Sequence, residues 1–335
     1  MNWNETRERG SVLGMRFVIV CLRLFGLRFA RFVSEPAIFY YFRSSARARR
    51  ASRSYLARVA SHPEGRRSLG GAPNAWKSWM HFRAFGHSLV DRAAFWAGLG
   101  NRFQVHFPAH AELLQLQAQK RGALLLGAHL GSLDVLRALA TKTRSAVNFL
   151  MFKDNAQKFN AVIQSLDPGL ELRAIGIEQG SIQFIIDLQA AIARGELVAI
   201  LGDRAELANE KRTAGATFLG AEASFPLGPL WIAQLLECPV YLMFALKRGP
   251  YSYEICLESF AERILLDRKQ RDRDLKAWLE RYVLRLEAHC LSTPLQWFNF
   301  YDFWPRAAAS ATSAPAEGAQ AVDSQVLRED RLGRV

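Results

Sequence analysis

From residue 121 onward, apolar and polar positions come in blocks that switch between the two-residue period of strands and the 3.6-residue period of helices. Strand-like runs fall at 123–128, 146–151, 171–176, 196–201, 238–246 and 251–258. Helical patterns fall at 132–143, 155–166, 180–194, 227–236 and 271–291. This alternation predicts an α/β fold with a mixed, largely parallel central sheet flanked by helices, and ligands at the carboxyl ends of its strands. Residues 51–120 are mostly helical in pattern, broken by the turn-rich His62-Pro63-Glu64-Gly65 and Gly70-Gly71-Ala72-Pro73. Trp76, Trp79, Phe82, Phe85 and Leu89 recur there at three- and four-residue intervals, as on a core-facing helix.

The amino-terminal pattern is different. On a helical wheel of residues 9–33, Arg9, Arg16 and Arg23 fall within about 40° of one another with Arg31 beside them. Val12, Leu13, Phe17, Val20, Cys21, Leu24 and Leu27 fill the remaining circumference. The longest uncharged run is six residues, far short of the roughly 20 that span a bilayer. No clean apolar stretch with a small-residue cleavage site marks a signal peptide either. An arginine stripe opposite aromatic and aliphatic bulk predicts a helix lying in a membrane interface, with a snorkelling, tilted anchor or docking on the protein's own core as alternatives. Residues 1–60 thus form a basic amphipathic membrane-associating segment, 61–305 the α/β domain, and 306–335 a tail without periodicity that is expected to be disordered.

Charge sharpens this picture. The chain of 335 residues carries a net charge of +13, and residues 1–60 hold twelve arginines, no lysine and only Glu5, Glu8 and Glu35 as acids. Such a segment suits an anionic membrane surface, an acidic protein or nucleic acid. Its continuous apolar face, rather than isolated stacking platforms, argues against nucleic acid as a partner. Four cysteines without CxxC spacing predict buried free thiols in a reducing compartment. The absence of HExxH, Walker and dinucleotide motifs leaves no metal site or bound cofactor expected.

Candidate chemistry centres on Gly127-Ala128-His129-Leu130-Gly131-Ser132-Leu133-Asp134. It follows the apolar Ala123-Leu124-Leu125-Leu126 and precedes a helical pattern, so a buried strand would end in a glycine-flanked turn holding His129 at its tip. Asp134, five residues on, could orient that imidazole as a general base; His129 is the one histidine of seven with a carboxylate at this spacing. The residues also fit a histidine that caps the helix or bonds a backbone carbonyl. A second strand, Leu197 to Leu201, ends in Gly202-Asp203-Arg204, where Arg204 could hold an oxyanion or phosphate, or the pair could simply close a turn. A third stretch, Thr217 to Pro229, contains Phe218, Gly220, Phe225, Pro226 and Gly228 and reads either as a loop passing close to a ligand or as a plain structural loop.

The order HxxxxD, GDR, FLGxxxxFPxGP resembles the lysophospholipid acyltransferase superfamily, in particular the lipid A lauroyl/myristoyl acyltransferases and a predicted-acyltransferase subgroup of them. The similarity runs from about Trp3 to Trp304 and includes Glu8-Arg9-Gly10-Ser11 and Gln296-Trp297-Phe298-Asn299-Phe300-Tyr301. The resemblance implies transfer of a fatty acyl group from an acyl-carrier-protein or CoA thioester to a hydroxyl of a lipid A-like glycolipid or other membrane lipid. The enzyme would work at the cytoplasmic face of a bacterial inner membrane, peripherally or through one amino-terminal anchor. His129 would be the base and Asp134 its partner. Asp203 and Arg204 would lie near substrate or oxyanion, with Phe218, Gly220, Phe225, Pro226 and Gly228 lining the acyl or acceptor site. For the oxyanion itself, the backbone N–H groups at the Gly131–Ser132 helix start and Arg204 are the candidate donors. Ser132 as a covalent nucleophile is the mechanistic rival, although the glycine-flanked position is histidine. The other readings are a glycerolipid acyltransferase using acyl-CoA and a non-catalytic basic membrane-surface or nucleic-acid-binding protein.

Overall fold

The computed structural model of the chain describes residues 12–132, 135, 146–152, 172–177, 182–204 and 212–304. Seven of its strands form one sheet: β1 (Gln104–His106), β2 (Ala123–Gly127), β3 (Val147–Phe152), β4 (Leu172–Ile177), β5 (Leu197–Leu201), β8 (Val240–Gly249) and β9 (Ser252–Ala261). Their order is β1-β9-β8-β2-β5-β3-β4. The strands from β8 to β4 run parallel, while β9 pairs antiparallel with β8 and carries β1 parallel to itself. The expected mixed, largely parallel sheet is therefore present, and its six longer strands lie within a few residues of the predicted runs. The short edge strand β1 was not anticipated.

Both faces of the sheet are buried, and the two-residue period assigns each side chain to one of them. Leu124, Leu126, Val198, Ile200, Leu242 and Phe244 enter one core cluster. Their neighbours Leu125, Leu197, Ala199, Tyr241 and Met243 enter the other. The first face is covered by α2 (Ala46–Ser61), α3 (Pro63–Leu69), α6 (Gln183–Ala193), α7 (Gly228–Leu236) and α8 (Arg271–Ser292). The second is covered by α1 (Val12–Ser44), α4 (Ala75–Trp96) and α5 (His110–Ala118). The turn expected at 62–65 is a helix start instead, because Pro63 occupies the first turn of α3, where a missing N–H costs nothing.

The stretch expected to be a loop at 217–229 also has regular structure. Strands β6 (Thr213–Phe218) and β7 (Ala221–Pro226) form an antiparallel hairpin, and α7 begins directly after it. Leu219 and Gly220 close the hairpin with φ of 50° and 76°, the two positive values that a tight turn between twisted strands requires. On α4, Phe82 is buried against Tyr41, Phe42 and Phe300, and Trp79 packs on Phe39 and Phe42. Trp76, at the start of the same stripe, is exposed.

Helix α1 divides its residues between core and solvent. Leu22, Leu27, Ala30 and Ile38 are buried, whereas Phe17, Val20, Leu24, Phe25, Phe32, Phe39 and Tyr40 are exposed. Gly26 (φ 81°, ψ −179°) breaks the helix into two segments. The wheel drawn across the whole stretch therefore fails beyond that point, and Arg31 leaves the expected basic stripe to point inward. Its Nε and Nη2 donate to Oδ1 of the fully buried Asp91 at 3.1 and 2.6 Å. Oδ2 of Asp91 accepts from Tyr253 Oη at 2.6 Å and from Lys247 Nζ. Among the described residues no helix is long and apolar enough to cross a membrane. The expected tail, 306–335, and the helical patterns at 132–143 and 155–166 lie largely or wholly outside the described residues.

Asp91 ties α4 to both α1 and β8. Asp91→Ala leaves the Arg31 and Lys247 cations facing each other without their carboxylate, and is expected to destabilise the fold by about 3–5 kcal/mol. Urea unfolding measures this; a loss below about 1 kcal/mol, the value of an exposed ion pair, would contradict the assignment.

Candidate active site

Strands β2 and β5 are parallel neighbours, with Gly127 paired to Leu201. Two residues beyond that pair, the same register brings His129 opposite Asp203 at the carboxyl end of the sheet. Nδ1 of His129 lies 2.8 Å from Oδ1 of Asp203. The backbone N–H of His129 donates to Oδ2 at 3.1 Å, and the indole Nε1 of Trp297 donates to the same oxygen at 2.9 Å. Asp203 is fully buried, whereas the imidazole keeps 32% of its surface exposed. The carboxylate thus orients the ring through Nδ1 and leaves Nε2 as the nitrogen that could take up a proton.

The partner expected for His129 was Asp134, but its Nδ1 is held by Asp203, a residue assigned to the second motif. Asp134 itself lies outside the described residues. The Asp203 contact comes from topology: a parallel crossover brings the ends of β2 and β5 together although they are remote along the chain.

The protonation states follow from the same contacts. Burial alone would raise the Asp203 carboxyl, but the charge and hydrogen bond of His129, the Arg204 guanidinium and the Trp297 indole outweigh it and hold it well below the usual carboxylate range. For His129, enclosure in the protein is the largest influence and lowers its pKa from 6.5; Arg204 and Arg92 lower it too, and Asp203 only partly offsets them. The ring is therefore neutral at pH 7, the state a general base requires.

The closing segment 296–301 is built into the site. Phe298 N–H donates to the His129 carbonyl at 2.8 Å, and Gly131 N–H donates to the Gln296 carbonyl at 2.9 Å. His81, fully buried on α4, bonds the Trp297 carbonyl through Nε2 at 2.9 Å and Ser52 through Nδ1 at 3.1 Å. Burial lowers its pKa to about 4, so it stays neutral and holds the segment as a hydrogen-bonding group. Arg204 donates to the Phe298 carbonyl and lies over the Tyr301 ring. Tyr282 Oη donates to the Gly127 carbonyl at 2.9 Å, at the last residue of β2. None of Trp297, His81, Tyr282 and Arg92 was marked as a site residue by the sequence. Trp297 was quoted only within the closing block, and no local pattern joins it to His129.

Two further expectations change. The amides of Gly131 and Ser132 were candidate oxyanion donors, yet each already donates to a protein carbonyl, Gln296 and Ala245, both at 2.9 Å. Gly131 has φ 76°, and a Cβ there would lie 2.1 Å from the Ala245 carbonyl oxygen, so glycine is required where the turn after β2 runs beside the middle of β8. Among the described residues, Arg204 and Arg92 place positive charge near His129. Ser132 is buried and makes no bond to His129 among the described residues. In the third motif the two phenylalanines are enclosed rather than lining open space, while Gly220 is exposed and Pro226 and Gly228 are half-buried. Phe218 and Phe225 are fully buried and pack edge-on at 5.6 Å, and Phe218 meets the Trp297 ring edge-on at 5.2 Å. Gly220 sits in the hairpin turn, Pro226 ends β7 and Gly228 opens α7. Among the described residues, the motif connects toward His129 through the contact of Phe218 with Trp297. Among the described residues, no group of three or more His, Cys, Asp or Glu side chains could hold a metal ion.

Asp203 raises the His129 pKa, so Asp203→Asn is expected to lower it further. Protonation observed by NMR through the imidazole Cε1–H should then have its midpoint below that of the wild type, itself below 6.5. A midpoint that stays or rises contradicts the Asp203 contact. Compared with known proteins, the chain matches no family model and no curated sequence.

Proposed function

We propose that the protein is a membrane-associated acyltransferase. It moves a fatty acyl chain from an acyl-carrier-protein or CoA thioester to a hydroxyl of a lipid A-like glycolipid or other membrane lipid. The observation that carries this reading is a neutral, part-exposed His129 held by buried Asp203 at the carboxyl end of the sheet, together with the order of motifs in the sequence. The exposed aromatic and aliphatic side chains of α1 support an interfacial membrane position for the same site.

In this mechanism the acceptor hydroxyl, too weak an acid to attack unaided, gives its proton to Nε2 of His129 as its oxygen attacks the thioester carbonyl. Asp203 keeps the Nδ1–H tautomer in place and stabilises the imidazolium that forms. Arg204 and Arg92 supply positive potential for the tetrahedral oxyanion. Collapse of the intermediate expels the thiolate, which takes the proton from the imidazolium. The ester is formed, the thiol is released and the base is regenerated. An acidic carrier protein as donor suits the net charge of +13. The protein would act peripherally, at the cytoplasmic face of a bacterial inner membrane.

Labelled acyl-carrier protein incubated with total membrane lipid provides the test. His129→Ala is expected to lower transfer by about 10²–10⁴-fold, and Asp203→Asn to lower it by a comparable factor, with both variants folded by circular dichroism. Transfer unaffected by His129→Ala would sink the mechanism. No labelled lipid from the wild type, with CoA donors and several acyl lengths included, would remove the enzyme reading.

A further inference from the structure

An open cleft of about 730 Å³ lies between α1, α4 and the end of β8. Arg28, Arg31, Arg83 and Lys247 supply four cations to it, with Glu35 and His87 beside them. Among the described residues, two carboxylates answer these charges. Glu35 accepts from Arg83 Nε at 2.5 Å and from His87 Nε2 at 3.0 Å. Asp91, buried behind the cleft, takes Arg31 and Lys247. Burial lowers the His87 pKa, so the ring adds no charge at pH 7. The cleft therefore presents an excess of two positive charges. Arg28 is exposed, and among the described residues the bonds of Arg83 engage Nε alone, which leaves terminal guanidinium nitrogens for an oxyanion.

The cleft is amphipathic as well as basic. Phe32 lines it and is 73% exposed. Phe25 and Phe29, their rings 4.7 Å apart, add exposed aromatic surface on the same helix. It also adjoins the candidate active site through shared backbone. Lys247 lies two residues beyond Ala245, whose carbonyl accepts the Ser132 N–H at 2.9 Å. Its own backbone N–H and carbonyl are both bonded by the Gln296 side chain, at 2.7 and 2.9 Å, next to Trp297.

We propose that this cleft binds the phosphate-bearing headgroup of the acceptor lipid, with Arg28, Arg83 and Lys247 on the phosphate and the aromatic side chains of α1 against its apolar part. The assignment to the acceptor rests on the acyl-transfer reading; the binding itself does not. A phosphate so held would seat the lipid beside the segment that carries Trp297, within the wall shared with His129.

Calorimetric titration of the full chain with dodecyl phosphate, below its micelle concentration, tests the site. Arg28→Gln/Arg83→Gln is expected to weaken binding about tenfold or more, the effect of losing charge-assisted hydrogen bonds. Arg28→Gln alone should weaken it several-fold, and keeps the test open should Arg83→Gln cost stability. Arg50→Gln/Arg53→Gln removes the same charge from the exposed face of α2 and should change binding by less than about twofold. Dodecyl maltoside should bind no better to the wild type than to the cleft variants. Equal losses in the two double variants would reduce the effect to general charge and overturn the proposal. Competition by CoA as strong as that by dodecyl phosphate would transfer the site to the donor and overturn the lipid assignment. Wild-type protein that binds dodecyl phosphate through these arginines but transfers no acyl group keeps the site and removes the enzyme. Acyl transfer without such binding does the reverse.

Discussion

The arrangement depends on one buried carboxylate. Asp203 sits at the carboxyl end of β5 without solvent, where an unpaired charge would cost several kcal/mol. Three donors offset that cost: the His129 imidazole, the His129 backbone and the Trp297 indole. Each contact also has a structural consequence. The first fixes the imidazole tautomer, the second fixes the turn after β2, and the third anchors the closing segment over the end of the sheet. Around this point the remaining groups act as supports. His81 holds the Trp297 carbonyl, Arg204 holds the Phe298 carbonyl, and the aromatic rings of the β6–β7 hairpin fill the space beneath the indole. Charge, packing and backbone geometry converge on the position of one imidazole nitrogen.

In the proposed function, helix α1 is the element that would bring that site to a membrane surface. One of its faces completes the core, since Leu22, Leu27 and Ala30 are buried against the sheet's second face. The other leaves phenylalanines in solvent, on the segment whose charged residues border the basic cleft. Docking on the core and interfacial binding were alternatives at the level of sequence; a helix with two apolar faces accommodates both. Gly26 permits this division, because the break in the helix turns Arg31 inward to Asp91 while Phe32 stays outside.

Much of the fold was legible because periodicity reports burial directly. Leu124 through Leu126, Leu197 through Ile200 and Val240 through Leu246 are continuous apolar runs, and each is a strand covered on both faces. The hairpin was missed for the converse reason: Thr213-Ala214-Gly215-Ala216-Thr217 is small and weakly patterned, and its glycine and proline neighbours look like loop. For the candidate site, His129, Asp203 and Arg204 could be marked as polar residues at strand ends. Which of them touch could not, because contact depends on strand order, and a local rule favours the carboxylate five residues away. Trp297 and His81 were invisible for the same reason. Their roles are bonds to Asp203 and to the Trp297 carbonyl, made between elements remote in the chain.

In the proposed reaction the acyl group passes directly from donor to acceptor, with His129 as base and no group of the protein acylated on the way. Single-turnover quench experiments that follow the mass of the intact protein and of the lipid together test this most directly. The predicted result is acyl-lipid that accumulates as the thioester is consumed while the protein keeps its unmodified mass at every time point. An acyl-protein that forms before the lipid product, with the added mass on Ser132, would contradict it.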